Sequence, residues 1–231
     1  MKGKLIIIDG SDGSGKATQS LKLFQRLQEE GYKVKKVEFP DYNSDSSALI
    51  KMYLNGSFGS DPNDVNPYVA SSFYAVDRYA SYVTKWKQFY EEGGIILSDR
   101  YTTSNMVHQA AKIEDQVEKD KYLNWLWDYE FNLFGLPIPD AVVFLDVPAE
   151  YSRKLMEERL NKFTGTEKKD IHESNMDFLQ HSYNNAKQIA EKYKWKTINC
   201  VKDNSMYSID EIHEKVYESL KDILDHDSHK V

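Results

Sequence analysis

Leu5-Ile6-Ile7-Ile8-Asp9-Gly10-Ser11-Asp12-Gly13-Ser14-Gly15-Lys16-Ala17-Thr18 is the stretch from which the fold can be read. It opens with a short apolar run that stops before glycines, the pattern of a strand buried on both faces. From Lys16 to Glu30, Leu21, Phe24 and Leu27 predict one apolar helical face, and Gly31 stands where a helix often stops. Between strand and helix, Gly10 to Lys16 matches G-x-x-x-x-G-K. Glycines let this backbone curl until successive N–H groups point inward, and the helix start adds its positive dipole end. Such a loop cradles phosphate, and Lys16 is placed to reach the outer phosphates of a nucleoside triphosphate. The bland alternative is a Gly/Ser-rich turn capping a helix. The next position normally supplies a Ser or Thr ligand to Mg²⁺, but here it is Ala17. Thr18 is turned by about 100° on the helix. It is expected to contact phosphate while water fills the metal's coordination site.

Outward from this loop, strands and helices alternate. Val34–Phe39, Ile95–Leu97, Ala141–Asp146 and Thr197–Cys200 read as further strands. Residues 44–56, 64–92, a stretch after Arg100, 150–160, a segment ending near 192, and 208–224 read as helical. This pattern predicts an α/β fold with a five-stranded parallel sheet and helices on both faces. Ligands of such sheets bind beyond the carboxyl ends of the strands. Asp9 to Lys16, Phe39-Pro40 and Asp99-Arg100 all follow strand ends, so they are expected in one crevice.

The chain has 231 residues, 40% hydrophobic and 29% charged, which suits one globular domain with a real core. Its net charge of −7 argues against a general nucleic-acid or membrane binder. Mean hydropathy is −0.66, and Leu5–Ile8 is far too short for a membrane span. Met1-Lys2-Gly3-Lys4 leads into that run with no small-residue cleavage site, so no secretory signal is expected. Cys200 is the only cysteine, which suits a reducing cytoplasm. Only five of the 30 basic residues are arginine: Arg26, Arg78, Arg100, Arg153 and Arg159. A scarce arginine invites attention, because its planar fork grips phosphate or a base edge as lysine cannot.

Gly10 to Thr18, Phe39-Pro40, Tyr74-Ala75-Val76-Asp77-Arg78, Asp99-Arg100-Tyr101 with Ser104-Asn105, and Leu136-Pro137-x-Pro139-Asp140 occur in order at suitable spacings. Over about residues 4–200 the chain resembles the thymidylate kinases. The phosphate loop is shared by many nucleotide hydrolases; the acidic residue within it and the Tyr-x-x-x-Arg and Asp-Arg-Tyr segments are more specific. The resemblance implies a P-loop NTPase fold, a single nucleoside monophosphate kinase domain over residues 1–231 with a lid at about 158–172, and usually a homodimer. It implies transfer of the γ-phosphoryl of ATP to dTMP, giving dTDP and ADP, with Mg²⁺, in dTTP synthesis.

The implied donor site is Gly10, Ser11, Asp12, Gly13, Ser14, Gly15, Lys16, Ala17 and Thr18. The implied acceptor site is Asp12, Phe39, Pro40, Tyr74, Arg78, Arg100, Ser104, Asn105, His108 and Gln109. A carboxylate is awkward in an anion-binding loop, and the resemblance gives Asp12 the sugar 3′-OH. Tyr74 and Arg78 share a helix face, which suits stacking on a base and donating to its O4, though a packed surface pair has the same spacing. Phe39-Pro40 would form another wall, or simply end a strand. Asn105 has both a donor and an acceptor for the N3–H edge. His108 falls where relatives place a bulky ring against a 2′-OH, or it is a plain helix-surface histidine. Asp99 would hold Mg²⁺ through water, and Arg100 would bridge acceptor and transferring phosphates. Lys16, Asp99, Arg100 and Arg159 are the expected catalytic set. Position 13 is glycine, so the lid must supply the further arginine, with Arg159 first and Arg153 second.

Two departures stand out: Ala17, and Asp41-Tyr42 where many relatives carry an arginine near the acceptor phosphate. With Asp41 there, that phosphate is expected to depend more on Arg100. The rival readings are a kinase of another deoxynucleotide or of a deoxynucleoside, and a non-catalytic nucleotide-binding protein. The aromatic stretch Tyr122–Phe134 suits core or interface equally.

Overall fold

A computed structural model describes residues 2–162 and 176–224, with side chains for 2–156 and 177–224. Five strands form one sheet: β1 (Leu5–Gly10), β2 (Val34–Glu38), β3 (Ile95–Asp99), β4 (Ala141–Asp146) and β5 (Lys196–Asn199). Their order is β2-β3-β1-β4-β5, and every adjacent pair is parallel. The apolar run therefore becomes the central strand. Successive side chains of a strand point to opposite faces. Ile6 and Ile8 enter one buried cluster with Leu23, Leu27, Val216 and Leu220, while Leu5 and Ile7 enter another with Trp86, Tyr90 and Phe131. That is why an unbroken apolar run is needed.

Helices α1 (Lys16–Glu29) and α9 (Ile209–Leu224) cover the first face. Leu23 and Leu27 anchor α1, with Phe24 packed against the cluster, whereas Leu21 is exposed and is not part of the inward face. The expected helix over 44–56 becomes a short 3-10 turn (Asp45–Ser47) followed by α2 (Ala48–Leu54). The expected helix over 64–92 is divided into α3 (Pro67–Ser81), a π-helical turn (Tyr82–Trp86) and α4 (Lys87–Glu91). After β3 come α5 (Thr102–His108), α6 (Gln116–Trp127) and a second π-helical segment (Asp128–Leu133). A π turn shifts the angular position of every later residue. It therefore leaves no simple 3.6-residue signature. Two further helices, α7 (Ala149–Lys162) and α8 (Met176–Lys192), flank β4 and β5 in sequence.

A hairpin of β6 (Val201–Lys202) and β7 (Ser205–Met206) follows β5 and was not expected. Asp203 and Asn204 form its turn with φ of 50° and 58°, a left-handed pair that Asn and Asp tolerate. Register fixes the crevice. Ile8 and Glu38 both pair with Asp99, and Gly10 pairs with Leu145. The loop after β1, Phe39-Pro40 and Asp99-Arg100 thus leave the sheet at the same end. No helix among the described residues is long and apolar enough to cross a membrane.

Candidate active site

The phosphate loop is seated against α7. Gly13 has φ of +77°, and a Cβ there would lie 2.5 Å from the carbonyl oxygen of Ser152 and 2.7 Å from Met156 Cγ. Only glycine suits both the conformation and the space. Ser11 Oγ and Ser152 Oγ are 3.1 Å apart, joining loop and helix again. This is the physical reason position 13 carries no arginine: α7 occupies the volume such a side chain would need.

Lys16 is buried and folds back on the loop, donating from Nζ to the Ser11 carbonyl at 2.7 Å. Asp12 Oδ1 is 4.0 Å away. Burial, and next the Arg100 guanidinium, push the Lys16 pKa down, with Asp12, Asp99 and Asp9 opposing them. Ala17 and Thr18 are exposed at the start of α1. Asp9 at the loop entry is fully buried. It accepts from the Gly10 N–H at 2.8 Å, from Thr103 Oγ1 and from Ser104 Oγ.

A cavity partly open to solvent lies beside this loop. Its lining contains Asp12, Phe39, Pro40, Tyr74, Arg78, Arg100, Ser104, Asn105, His108 and Gln109, which are all ten of the expected acceptor residues. Tyr42, Leu54 and Tyr101 line it as well and were not foreseen. In the sequence Tyr101 stands out only as the end of Asp-Arg-Tyr and Tyr42 only beside Asp41, while Leu54 has no motif around it.

Arg100 joins the cavity to the loop. Its backbone is left-handed, with φ of 65°, an unusual conformation for a residue with a Cβ. Its guanidinium bonds Asp12, reaches Ser104 Oγ at 3.4 Å and sits 3.2 Å from His108 Nε2. Burial lowers the Arg100 pKa, but Asp12, Asp9 and Asp99 outweigh it and raise the pKa overall. His108 is buried rather than on the helix surface. Burial pushes its pKa down to about 4, so the neutral ring accepts from Arg100 through Nε2. Phe178 of α8 stacks beside it, with ring centroids 6.3 Å apart.

Arg78 is deeper than a surface pair would be, at 1% exposure. Nε donates to Glu130 Oε2 at 2.7 Å and Nη2 to Glu130 Oε1 at 2.5 Å, a bidentate fork. Nη1 reaches the Tyr101 carbonyl at 3.4 Å. Burial lowers the Arg78 pKa, and Glu130 more than restores it. Glu130 was missed from sequence. The available signal was weak: Glu130 is one of two carboxylates, with Asp128, among Trp127, Tyr129, Phe131 and Phe134. The aromatic stretch itself divides: Tyr122, Leu123, Leu126 and Phe131 are buried, while Trp127 and Leu133 are exposed.

Asn105 is buried, with Nδ2 3.4 Å from the Ser71 carbonyl. Gln109 Oε1 is buried and has no hydrogen-bond partner among the described residues. Asp41 does not line the cavity. Its backbone N–H donates to the buried Asp77 at 2.8 Å, and its carboxylate turns to Lys85. The Arg159 side chain and most of the segment 158–172 lie outside the described residues. Arg153 is exposed on α7.

Asp99 Oδ1 and Ser14 Oγ are both buried without a hydrogen-bond partner among the described residues. Buried polar atoms of this kind call for a partner that arrives with a ligand. One oxygen in the phosphate loop and one at the end of β3 would suit the waters of a hydrated Mg²⁺, a hard cation that keeps several. No cluster of three or more potential metal-ligating His, Cys, Asp or Glu residues exists among the described residues.

A family model described as Thymidylate kinase matches residues 8–216. The thymidylate kinase of Caldicellulosiruptor saccharolyticus is 28% identical over 97% of this chain and 98% of its own. A probable thymidylate kinase of Pyrococcus horikoshii is 29% identical over 96% of this chain and 97% of its own. The solved thymidylate kinase of Candida albicans has the same fold, with a TM-score of 0.68, at 23% identity, covering 98% of this chain and 94% of that one. The phosphate loop, the Asp-Arg pair at the end of β3 and the cavity beside them thus fall within a match spanning most of the sequence, and the chain belongs to the thymidylate kinase family.

Proposed function

We propose that this thymidylate kinase seats dTMP in the cavity between α3 and α5, and ATP on the loop Gly10–Thr18 with Mg²⁺. The observation that carries this reading is the convergence of Asp12 and Arg100 at the junction of loop and cavity. A donor phosphate on the loop and an acceptor phosphate at the cavity mouth both fall within reach of Arg100.

In the cavity, Tyr74 and Phe39 flank the thymine ring, and Arg78 donates from Nη1 to O4. Asn105 and Gln109 present amide groups to the base edge, the partnerless Gln109 Oε1 being an acceptor for an incoming N–H. Asp12 takes the 3′-OH. The buried His108 ring stands against a 2′-OH and so favours deoxyribose. An oxygen of the acceptor phosphate attacks the γ-phosphorus in line, the bond to the β–γ bridging oxygen breaks, and ADP leaves. Lys16 exchanges the Ser11 carbonyl for phosphate oxygens. Arg100 stabilises charge on the equatorial oxygens, where preorganised donors count most. Asp99 and Ser14 would hold Mg²⁺ through its waters; when bound, that ion neutralises phosphate charge.

The segment 158–172 is proposed as a lid closing a single kinase domain, with Arg159, or else Arg153, as its phosphate-binding arginine. Val69, Val76, Tyr79 and Val83 are exposed along one side of α3 and the π turn after it. An apolar stripe of this kind suits a homodimer contact. A cytoplasmic setting belongs to the same proposal, as Cys200 is buried and unpaired.

Coupled ADP-release assays against a panel of nucleoside monophosphates and nucleosides test this function. dTMP should be the preferred acceptor. ATP binding without turnover of any nucleotide, or preference for a nucleoside, would overturn the reading.

A further inference from the structure

Glu130 has no role in phosphoryl transfer, yet it is a fully enclosed carboxylate held against a cavity-lining arginine. Its exposure is 0%, and both of its oxygens are used by the Arg78 fork. Thr102 Oγ1, at the start of α5, donates to Oε2 at 2.6 Å as a third contact. A buried ion pair costs desolvation on both sides and is weak support for stability by itself. Such a pair is easier to understand as a specificity device than as a prop.

The backbone supports that view. Glu130 sits inside the π-helical segment Asp128–Leu133, which interrupts the continuation of α6. π-helical turns are uncommon and concentrate at functional sites. The fork engages Nε and Nη2, so the direction of the guanidinium plane is set by Glu130 alone among the described carboxylates. Nη1 is left outside the fork, with one long contact of 3.4 Å to the carbonyl of Tyr101, and both Arg78 and Tyr101 line the cavity.

We infer that Glu130 is a positioning residue for base recognition: its fork, steadied by Thr102, fixes the plane of Arg78 so that Nη1 presents a donor to a carbonyl oxygen on the acceptor's base. An amino group at the same ring position meets a donor that cannot turn away. The pair thereby selects a 4-oxo pyrimidine over a 4-amino pyrimidine. This inference rests on the proposed seating of the base against Arg78.

The test is steady-state kinetics with dTMP and dCMP on Glu130→Gln, Arg78→Lys and the double variant, with melting temperatures recorded for each. Glu130→Gln keeps the shape but replaces one acceptor by a donor facing the guanidinium or Thr102. KM for dTMP should rise on the order of tenfold, the usual scale of a charge-assisted hydrogen bond. kcat and KM for ATP should stay within about threefold, and the preference for dTMP over dCMP should narrow. The double variant should be no worse than Arg78→Lys alone, because Glu130 acts through Arg78. A lower melting temperature with unchanged KM and unchanged dTMP preference would overturn the positioning role. Unchanged discrimination in Arg78→Lys would instead overturn the base-seating reading. Thr102→Val provides the variant least prone to misfolding. It should raise KM for dTMP by a smaller factor in the same direction, and no change would count against the proposal.

Discussion

The two halves of the site are built by different physics. Most polar side chains at the base end of the acceptor cavity are already committed, Arg78 to Glu130, Asn105 to Ser71 and Tyr101 Oη to the Pro137 carbonyl, while Gln109 Oε1 has no hydrogen-bond partner among the described residues. The phosphate loop is made of backbone, and its charged groups hold one another. Lys16 bonds the Ser11 carbonyl and Arg100 bonds Asp12, while Asp99 Oδ1 and Ser14 Oγ have no hydrogen-bond partner among the described residues. Recognition of the base calls for fixed geometry, since specificity is a difference between nearly equal fits. Phosphate transfer calls for charges that can be handed from self-contacts to moving oxygens. Substitutions in the first half should therefore act on binding, and those in the second on turnover.

The sharpest break of this contrast is Arg100→Ala. It should lower kcat on the order of a hundredfold or more while KM for dTMP moves much less, because charge stabilisation is realised in the transition state. Rapid-quench measurement of dTDP formation checks this, and an unchanged kcat would remove Arg100 from the mechanism.

Gly13→Ala should come next. Its Cβ would meet the Ser152 carbonyl in a left-handed backbone, so the loop or α7 must give way, at a cost of about 1–3 kcal/mol. Thermal unfolding should report that loss together with weaker ATP binding. Wild-type stability and ATP affinity would show that α7 is not what keeps this position bare.

A third contrast is between His108 at neutral and at acid pH. Its folded pKa of about 4 lies below the ordinary value of 6.5, so the unfolded chain binds more protons between those limits. Stability should then rise with pH through that window, and acidification from about pH 6.5 to 4 should cost at most about 3 kcal/mol from this residue. His108→Phe keeps a ring beside Phe178 without the titration. Its melting temperature should fall less between pH 7 and 5 than that of the parent. Parallel profiles would place the acid sensitivity elsewhere.

Much of this was legible beforehand, for local reasons. The run Leu5–Ile8 could only be a doubly buried strand, and the glycines behind it could only be a turn. Parallel topology then forced Phe39, Asp99 and the loop to one end of the sheet. Glu130 was illegible because its meaning depends on a partner 52 positions away in sequence and on a π-helical segment that a 3.6-residue period does not reveal. Asp41 was legible as a departure but not as an ion pair with Lys85, which needs the π-helical turn after α3 to bring it near. Leu21 shows the opposite error: an apolar residue near the right spacing faces solvent because Leu23 and Leu27 already fill the sheet side of α1.

If the cavity is preformed and the loop is not, nucleotide recognition does not wait for ATP. Titration calorimetry of dTMP and dCMP into the protein without ATP or Mg²⁺ would examine this separation at its root. Saturable dTMP binding is expected, with dCMP weaker by about tenfold or more, the scale set when a buried charged donor loses its acceptor. Absence of dTMP binding until ATP is added, or equal affinity for the two, would contradict a preformed, base-selective acceptor site.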